Sequence, residues 1–222
     1  MSEWIIQGSY DEWRTDRAKP EDDRMTVAIK LSPNQVQFSK GDLKTIQRGR
    51  TWEQFRYLQR GFENTRGVKL AYYKGTIEIL MPGVNHELFK TIIGFLIEAF
   101  LFHRRTEFNP TGSATQTKQD IVSTEADESY EIQGFKLAVE IDFTNSSTSK
   151  LERYEALGTD EVWIWEDGLL DIYWLQSNGY EKNDRSRIPV LEPIDRALMS
   201  ECILLGETSR IQAAERLLAT HP

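Results

Sequence analysis

Apolar residues at Leu88, Ile92, Phe95, Leu96, Ala99 and Phe100 recur at helical spacing and predict the longest helix of the chain, over residues 84–103. On both sides of it the pattern changes to short alternating runs. Runs at 68–73 and 76–81 flank Lys74-Gly75, and runs at 161–165 and 169–175 flank Asp167-Gly168, so each pair reads as a hairpin. Gln133-Gly134 separates a third pair of strands, 129–132 and 136–143, and weaker strands fall near Glu107 and at 114–117. A helix is expected over 51–62, where Thr51 can cap and Gln54 can close a capping box. Another covers 150–157 and stops at Gly158, and a last one covers 208–219. Residues 1–24 read as a loosely held polar arm, 25–31 as a strand and 39–50 as polar linker. The order of helix, antiparallel strands, helix and strand predicts a mixed α/β fold, with an N-terminal arm and strand at 1–49 and one domain at 50–222. No internal repeat or low-complexity tract is visible.

Composition narrows the class. The chain has 222 residues, 39% of them hydrophobic and 11% aromatic, enough for one sizeable core. No apolar run approaches the ~18–20 residues that span a bilayer, so no membrane partner is expected. The N-terminal residues lack the basic start and apolar stretch of a secretory signal. Cys202 is the only cysteine, which excludes an intrachain disulfide and cysteine-built zinc sites. A cytoplasmic protein is expected.

Charge is unevenly spread. The net charge of −8 argues against indiscriminate binding to nucleic acid, because phosphate contacts need Lys and Arg. Yet residues 40–74 carry nine Lys/Arg against three Asp/Glu, while residues 120–181 carry three against fifteen. A basic surface facing a polyanion, beside an acidic part able to hold cations, would produce that asymmetry; so would a patchy solvated surface.

The acidic part contains a specific pair. If Gln133-Gly134 is a two-residue hairpin loop, Ile132 pairs with Phe135, and the same register sets Asp127 directly opposite Glu140. Their Cβ atoms would lie ~4.5–5.5 Å apart, a repulsive arrangement unless a cation lies between them. Alternation places Leu137, Val139 and Ile141 on one face of the strand and Ala138, Glu140 and Asp142 on the other. Glu140 would be partly buried there, at a cost of several kcal/mol as an order of magnitude if unpaired. A hard cation such as Mg²⁺ would offset that cost. Unrelated acids on an exposed polar edge remain the other reading.

Ser149-Lys150-Leu151-Glu152 reads as a second capping box, which would put Lys150 at the first helical position. A cation there is disfavoured by ~0.3–1 kcal/mol, unless an anionic site lies close by. A loop of about five residues would return this helix over the end of the Glu140 strand. Two acids and a lysine at such a junction suit phosphodiester hydrolysis, with the acids holding metal and the lysine supporting hydroxide or phosphate charge. Spacing alone favours an ordinary solvated lysine over a catalytic one.

Several ordered blocks then resemble a family. Glu125-Ala126-Asp127-Glu128-Ser129-Tyr130, Ala138-Val139-Glu140-Ile141, the run Lys150-Leu151-Glu152-Arg153-Tyr154-Glu155-Ala156-Leu157-Gly158, and Glu161-Val162-Trp163-Ile164-Trp165 resemble the Uma-type putative restriction endonuclease family of the PD-(D/E)xK nuclease superfamily. Earlier blocks fit as well: Gly75-Thr76-Ile77-Glu78-Ile79-Leu80-Met81-Pro82, His86 at the start of the long helix, and Pro110-Thr111-Gly112-Ser113-Ala114-Thr115. The likeness covers roughly residues 50–215.

The resemblance implies a restriction-endonuclease-like core, a mixed and mostly antiparallel sheet flanked by helices, with Mg²⁺ (or Mn²⁺) as cofactor. It makes Asp127 the metal-binding aspartate, Glu140 the acid of the (D/E)xK element and also a metal ligand, and Lys150 the lysine moved from strand to following helix. Glu78, His86 and Gln116 fall near the site as possible additional residues. Two departures matter: Ala126 replaces the proline of the motif name, and Asp142 occupies the ordinary lysine position. Asp142 could be a third ligand or a source of repulsion. The run Asn145-Ser146-Ser147-Thr148-Ser149 lacks the glycines of close relatives.

Other residues carry less. Trp163 and Trp165 share a strand face and could stack on bases or pack a core or dimer. His103 and His221 have no companions at metal spacing. Ser113 has no nearby base, and no phosphate-loop glycine pattern is present. The expectation is a divalent-metal-dependent endonuclease acting on DNA, as a homodimer. The alternative is a catalytically degenerate nuclease fold that binds nucleic acid or protein.

Overall fold

The computed structural model describes residues 41–143 and 147–219. These belong to the compact unit Gln37–Pro222. The arm and the strand expected at 25–31 lie outside the described residues, as do residues 144–146 of the serine-rich run.

The order is β1 (Leu43–Gln47), α1 (Trp52–Gly61), β2 (Lys69–Tyr73), β3 (Thr76–Met81), α2 (Val84–His103), β4 (Phe108–Pro110), β5 (Thr115–Lys118), β6 (Val122–Glu125), β7 (Glu128–Ile132) and β8 (Phe135–Ile141). There follow α3 (Ser147–Leu157), β9 (Glu161–Glu166), β10 (Leu169–Gln176), β11 (Gly179–Asn183), α4 (Arg196–Gly206) and α5 (Arg210–Ala219). Two sheets result. One has the order β1-β3-β2-β6-β5 and is antiparallel throughout. The other has the order β11-β10-β9-β8-β7-β4, in which only β8 and β9 run parallel. This is a mixed α/β fold, as the pattern predicted, and mostly antiparallel and flanked by helices, as the resemblance implied, with two sheets in place of one.

The turn chemistry explains the register. Gln133 and Gly134 have φ of 53° and 85°, the two left-handed residues that a tight hairpin of the type I′ class requires. Ile132 therefore faces Phe135, and the ladder runs on to Glu128 opposite Val139. Strand β8 is central, and both of its faces are covered. Leu137, Val139 and Ile141 join the main core with Trp163, Trp165 and the inward side of α2 (Ile92, Ile93, Leu96, Phe100). On the other face Ala138 packs with Ala126, Val162, Ile164 and Tyr154, the last from α3. A strand inside a sheet covered on both sides reads as a nearly continuous apolar run, and PheLysLeuAlaValGluIle departs from that only at Lys136 and Glu140. Trp163 and Trp165 are 0% and 1% exposed, so both belong to the core. Helix α1 keeps its expected capping box of Thr51 and Gln54, and Phe55 packs against Trp52 and Tyr72 over the first sheet.

Several expectations change. Residues 43–47 are a strand, not linker: the sequence LeuLysThrIleGln is mostly exposed on an edge, where apolar alternation is not needed, and its backbone pairs with β3. Strand β6, strand β11 and helix α4 were not anticipated. The serine box at Ser149 fails too, because α3 begins at Ser147 and Lys150 is its fourth residue. Lys150 therefore stands at the end of the first turn and not at the first helical position.

Candidate active site

The site lies where the two sheets meet. Ala126 and Asp127 form the short link between β6 of one sheet and β7 of the other, and Asp127 is 1% exposed. Its backbone N–H donates to the Val139 carbonyl at 3.1 Å, one step beyond the regular β7–β8 ladder. Its side chain then continues the pairing: Oδ2 accepts the Ile141 N–H at 2.6 Å. Oδ1 receives the ammonium of Lys69, which also donates to the Ala126 carbonyl at 3.1 Å. His86 Nε2 stands 2.8 Å from the same Oδ1, an ion-pair contact that lacks hydrogen-bond geometry. Burial pushes the Asp127 carboxyl up, but Lys69 and His86 outweigh it and hold it far below the ordinary carboxylate range.

Glu140, 4% exposed, is served from α3. Lys150 Nζ lies 2.8 Å from Glu140 Oε2 and donates to the Ile141 carbonyl, also at 2.8 Å. The Tyr154 hydroxyl donates to Oε1. Lys150 and Tyr154 are four residues apart, one turn on the same helix face, so one helix delivers both donors to one carboxylate. Burial would lower the Lys150 ammonium's pKa, yet the Glu140, Asp127 and Asp142 charges raise it above its ordinary value.

The remaining sequence candidates divide. Glu78, from β3, pairs with Lys44 at 3.1 Å and Arg153 at 3.4 Å and lines a small cavity with Glu140 and Lys150. Burial pushes its carboxyl up, but Arg153 and Lys44 bring it below the ordinary value. His86 is fully buried between two carboxylates. Burial alone would lower its pKa, and contacts with Asp127 and Asp42 raise it to about 9. Asp142 is 1% exposed just past β8, where its N–H donates to the Trp165 carbonyl at 2.8 Å and its charge acts on Lys150. Gln116 stands on β5 opposite Thr124, which lines the cavity; Gln116 itself has no side-chain hydrogen bond or ion pair among the described residues.

Sequence reasoning missed Lys69, Asp42 and Tyr154. Lys69 had a signal: it opens a strand whose Leu70 and Tyr72 face the first-sheet core, and it shares the other face with Ala71, also buried. Tyr154 had one in its spacing from Lys150. Asp42 had none, since its contacts to Gly83 N–H (2.9 Å) and His86 Nδ1 (3.0 Å) join segments more than forty residues apart.

Among the described residues no group of three or more His, Cys, Asp or Glu side chains is arranged to hold a metal ion. The donor set of Asp127, Glu140 and the Ile141 carbonyl is nonetheless all oxygen and buried. That fits a hard cation such as Mg²⁺, which takes one or two carboxylates and completes its octahedron with water and phosphate. The adjoining cavity of about 20 Å³ has room for a water-sized occupant.

A family model described as "Uma2: Putative restriction endonuclease" matches residues 52–198, and so spans every residue of this cluster except Asp42 and Lys44. The chain belongs to this family. The Uma2 assignment runs from α1 to the start of α4 and covers both sheets except β1. No curated protein matches the chain. Among solved structures, the chain is similar to a putative nuclease belonging to DUF820 from Anabaena variabilis, with 17% identity and a TM-score of 0.47 over 76% of this chain and 99% of that one.

Proposed function

We propose that this Uma2 chain is a divalent-metal-dependent endonuclease that hydrolyses DNA phosphodiester bonds. The observation that carries the reading is the convergence of Lys150 Nζ on Glu140 and the Ile141 carbonyl, beside Asp127, at the junction of the two sheets. Asp127 and Glu140 would hold Mg²⁺ or Mn²⁺. When bound, such a cation neutralises phosphate charge and lowers the pKa of a coordinated water. The Lys150 ammonium adds positive charge where the phosphorane-like transition state gathers negative charge, fixed in advance by two acceptors. Tyr154 and Ile141 N–H orient the two carboxylates, so that neither must reorganise during the reaction. Exposed Arg56 and Arg60 line a surface depression whose Leu70 and Glu125 also line the cavity at Glu140, which suits contact with a phosphate backbone.

The test is cleavage of plasmid and linear DNA with Mg²⁺ or Mn²⁺ by wild type, Asp127→Ala and Lys150→Ala. Loss in both variants is expected; equal cleavage by all three would remove the catalytic claim. One observation favours a second reading, a degenerate site that binds without cutting: each carboxylate already carries an ammonium, and Asp142 sits at the motif's lysine position. Calorimetric Mn²⁺ binding that disappears in Glu140→Ala, together with Mn²⁺-dependent cleavage by wild type, would exclude it.

A further inference from the structure

Two ammonium groups meet the two carboxylates, but they are not equivalent. Lys150 is 3% exposed and is pinned by Glu140 and the Ile141 carbonyl. The Lys69 side chain is 15% exposed and sits on Asp127 Oδ1 from the cavity side. Glu140, Lys150 and Lys69 all line that cavity, whereas Asp127 does not, and Lys69 links the cavity wall to Asp127 Oδ1. Any dication approaching Asp127 through the cavity therefore meets the Lys69 ammonium first.

We propose that Lys69 is an internal counter-ion that holds the cation's place at Asp127. A divalent metal and the Lys69 ammonium compete for Oδ1. On displacement, the ammonium has the exposed cavity wall as its nearest free volume, where it becomes a contact for a phosphate anion. This rests on the reading of the cluster as a metal-dependent phosphodiesterase site. The physical sign is unusual. Replacing a structural residue next to a ligand carboxylate loosens the site and weakens metal binding, whereas removing a competitor and its repulsive charge tightens it.

The experiment is Mn²⁺ binding to the full chain without DNA, read by the electron paramagnetic resonance of free Mn²⁺. Lys69→Met should bind at least tenfold more tightly than wild type. Lys69→Arg, which keeps a competing cation, should not. Lys44→Met removes a cation paired with Glu78 at 3.1 Å and should change affinity less than twofold, separating direct competition from the general field. If Lys69→Met does not fold, Lys69→Gln replaces it with the same expectation. Affinity unchanged or weakened by the neutral variants, an equal gain in Lys44→Met, or no Mn²⁺ binding by any of these proteins would overturn the proposal. Cleavage assays on the same preparations keep the two readings apart. Tighter Mn²⁺ binding in Lys69→Met without DNA cleavage by wild type sinks the nuclease reading only, and cleavage by wild type without tighter binding sinks the counter-ion only.

Discussion

Strand β8 has two faces built on opposite principles. On one, Leu137, Val139 and Ile141 are at most 1% exposed inside the largest apolar cluster, and burying such a side chain stabilises by about 1.5–3 kcal/mol. On the other, after Ala138, Glu140 enters a nest of Lys150, Tyr154, Asp127 and Lys69. Taking those charges out of water costs several kcal/mol per ion as an order of magnitude, and the ion pairs do little more than offset it. The first face accounts for folding. The second is close to neutral for folding, so folding stability alone does not explain a buried, hydrogen-bonded carboxylate pair.

The contrast breaks most visibly when one charge is removed. Lys150→Met leaves Glu140 buried without its direct ion-pair partner, and should cost about 3–5 kcal/mol in urea unfolding. A loss below about 1 kcal/mol would mean that Glu140 finds water or another cation, and the face is not the closed nest described. Truncating the dry face gives the next effect. Leu137→Ala should cost about 3 kcal/mol through transfer and cavity terms, and should leave Mn²⁺ affinity within twofold of wild type. Coupling of that apolar truncation to metal binding would show that the two faces do not act independently.

How far the sequence discloses this arrangement depends on distance along the chain. Hairpin register is local. Gln133-Gly134 sets the pairing that brings Asp127 beside the Glu140–Ile141 segment, and alternation sorts Leu137 from Glu140. Lys150 is near Glu140 in sequence, and only its place in the helix was misread. The Ser149 box looked like a start because Ser and Glu at that spacing cap helices, but Ser147 and Thr148 already lie within α3. Strand β1 and the contacts of Asp42 and Lys69 depend on pairing across the first sheet, which no local period encodes. Lys69 is therefore contributed by a sheet whose relation to β8 is tertiary.

A smaller, pH-dependent effect follows from Glu78. Its carboxyl is held below the ordinary value of 4.5, with Arg153 and Lys44 overcoming burial. The folded state thus binds this proton less readily than the unfolded chain. The contribution is fully present above about pH 4.5 and fades as the pH falls through the lowered folded value. Glu78→Gln should be less stable than wild type at neutral pH, with the two unfolding curves converging on acidification. Parallel curves down to acid would place Glu78 outside the ion-pair network.

The smallest net change tests the comparison most sharply. Lys150→Met combined with Glu140→Gln removes both charges, keeps an acceptor for the Tyr154 hydroxyl and spares the protein two desolvation costs. Its stability should return to within about 1 kcal/mol of wild type, well above Lys150→Met alone, because the penalty in the single variant is an abandoned charge and not a lost attraction. Cleavage should stay absent in the double variant, and Glu140-dependent Mn²⁺ binding should be lost with the Glu140 charge. A double variant as unstable as the single one would mean that the pair itself holds α3 to the sheet, and the ionic face would then be explained by folding after all.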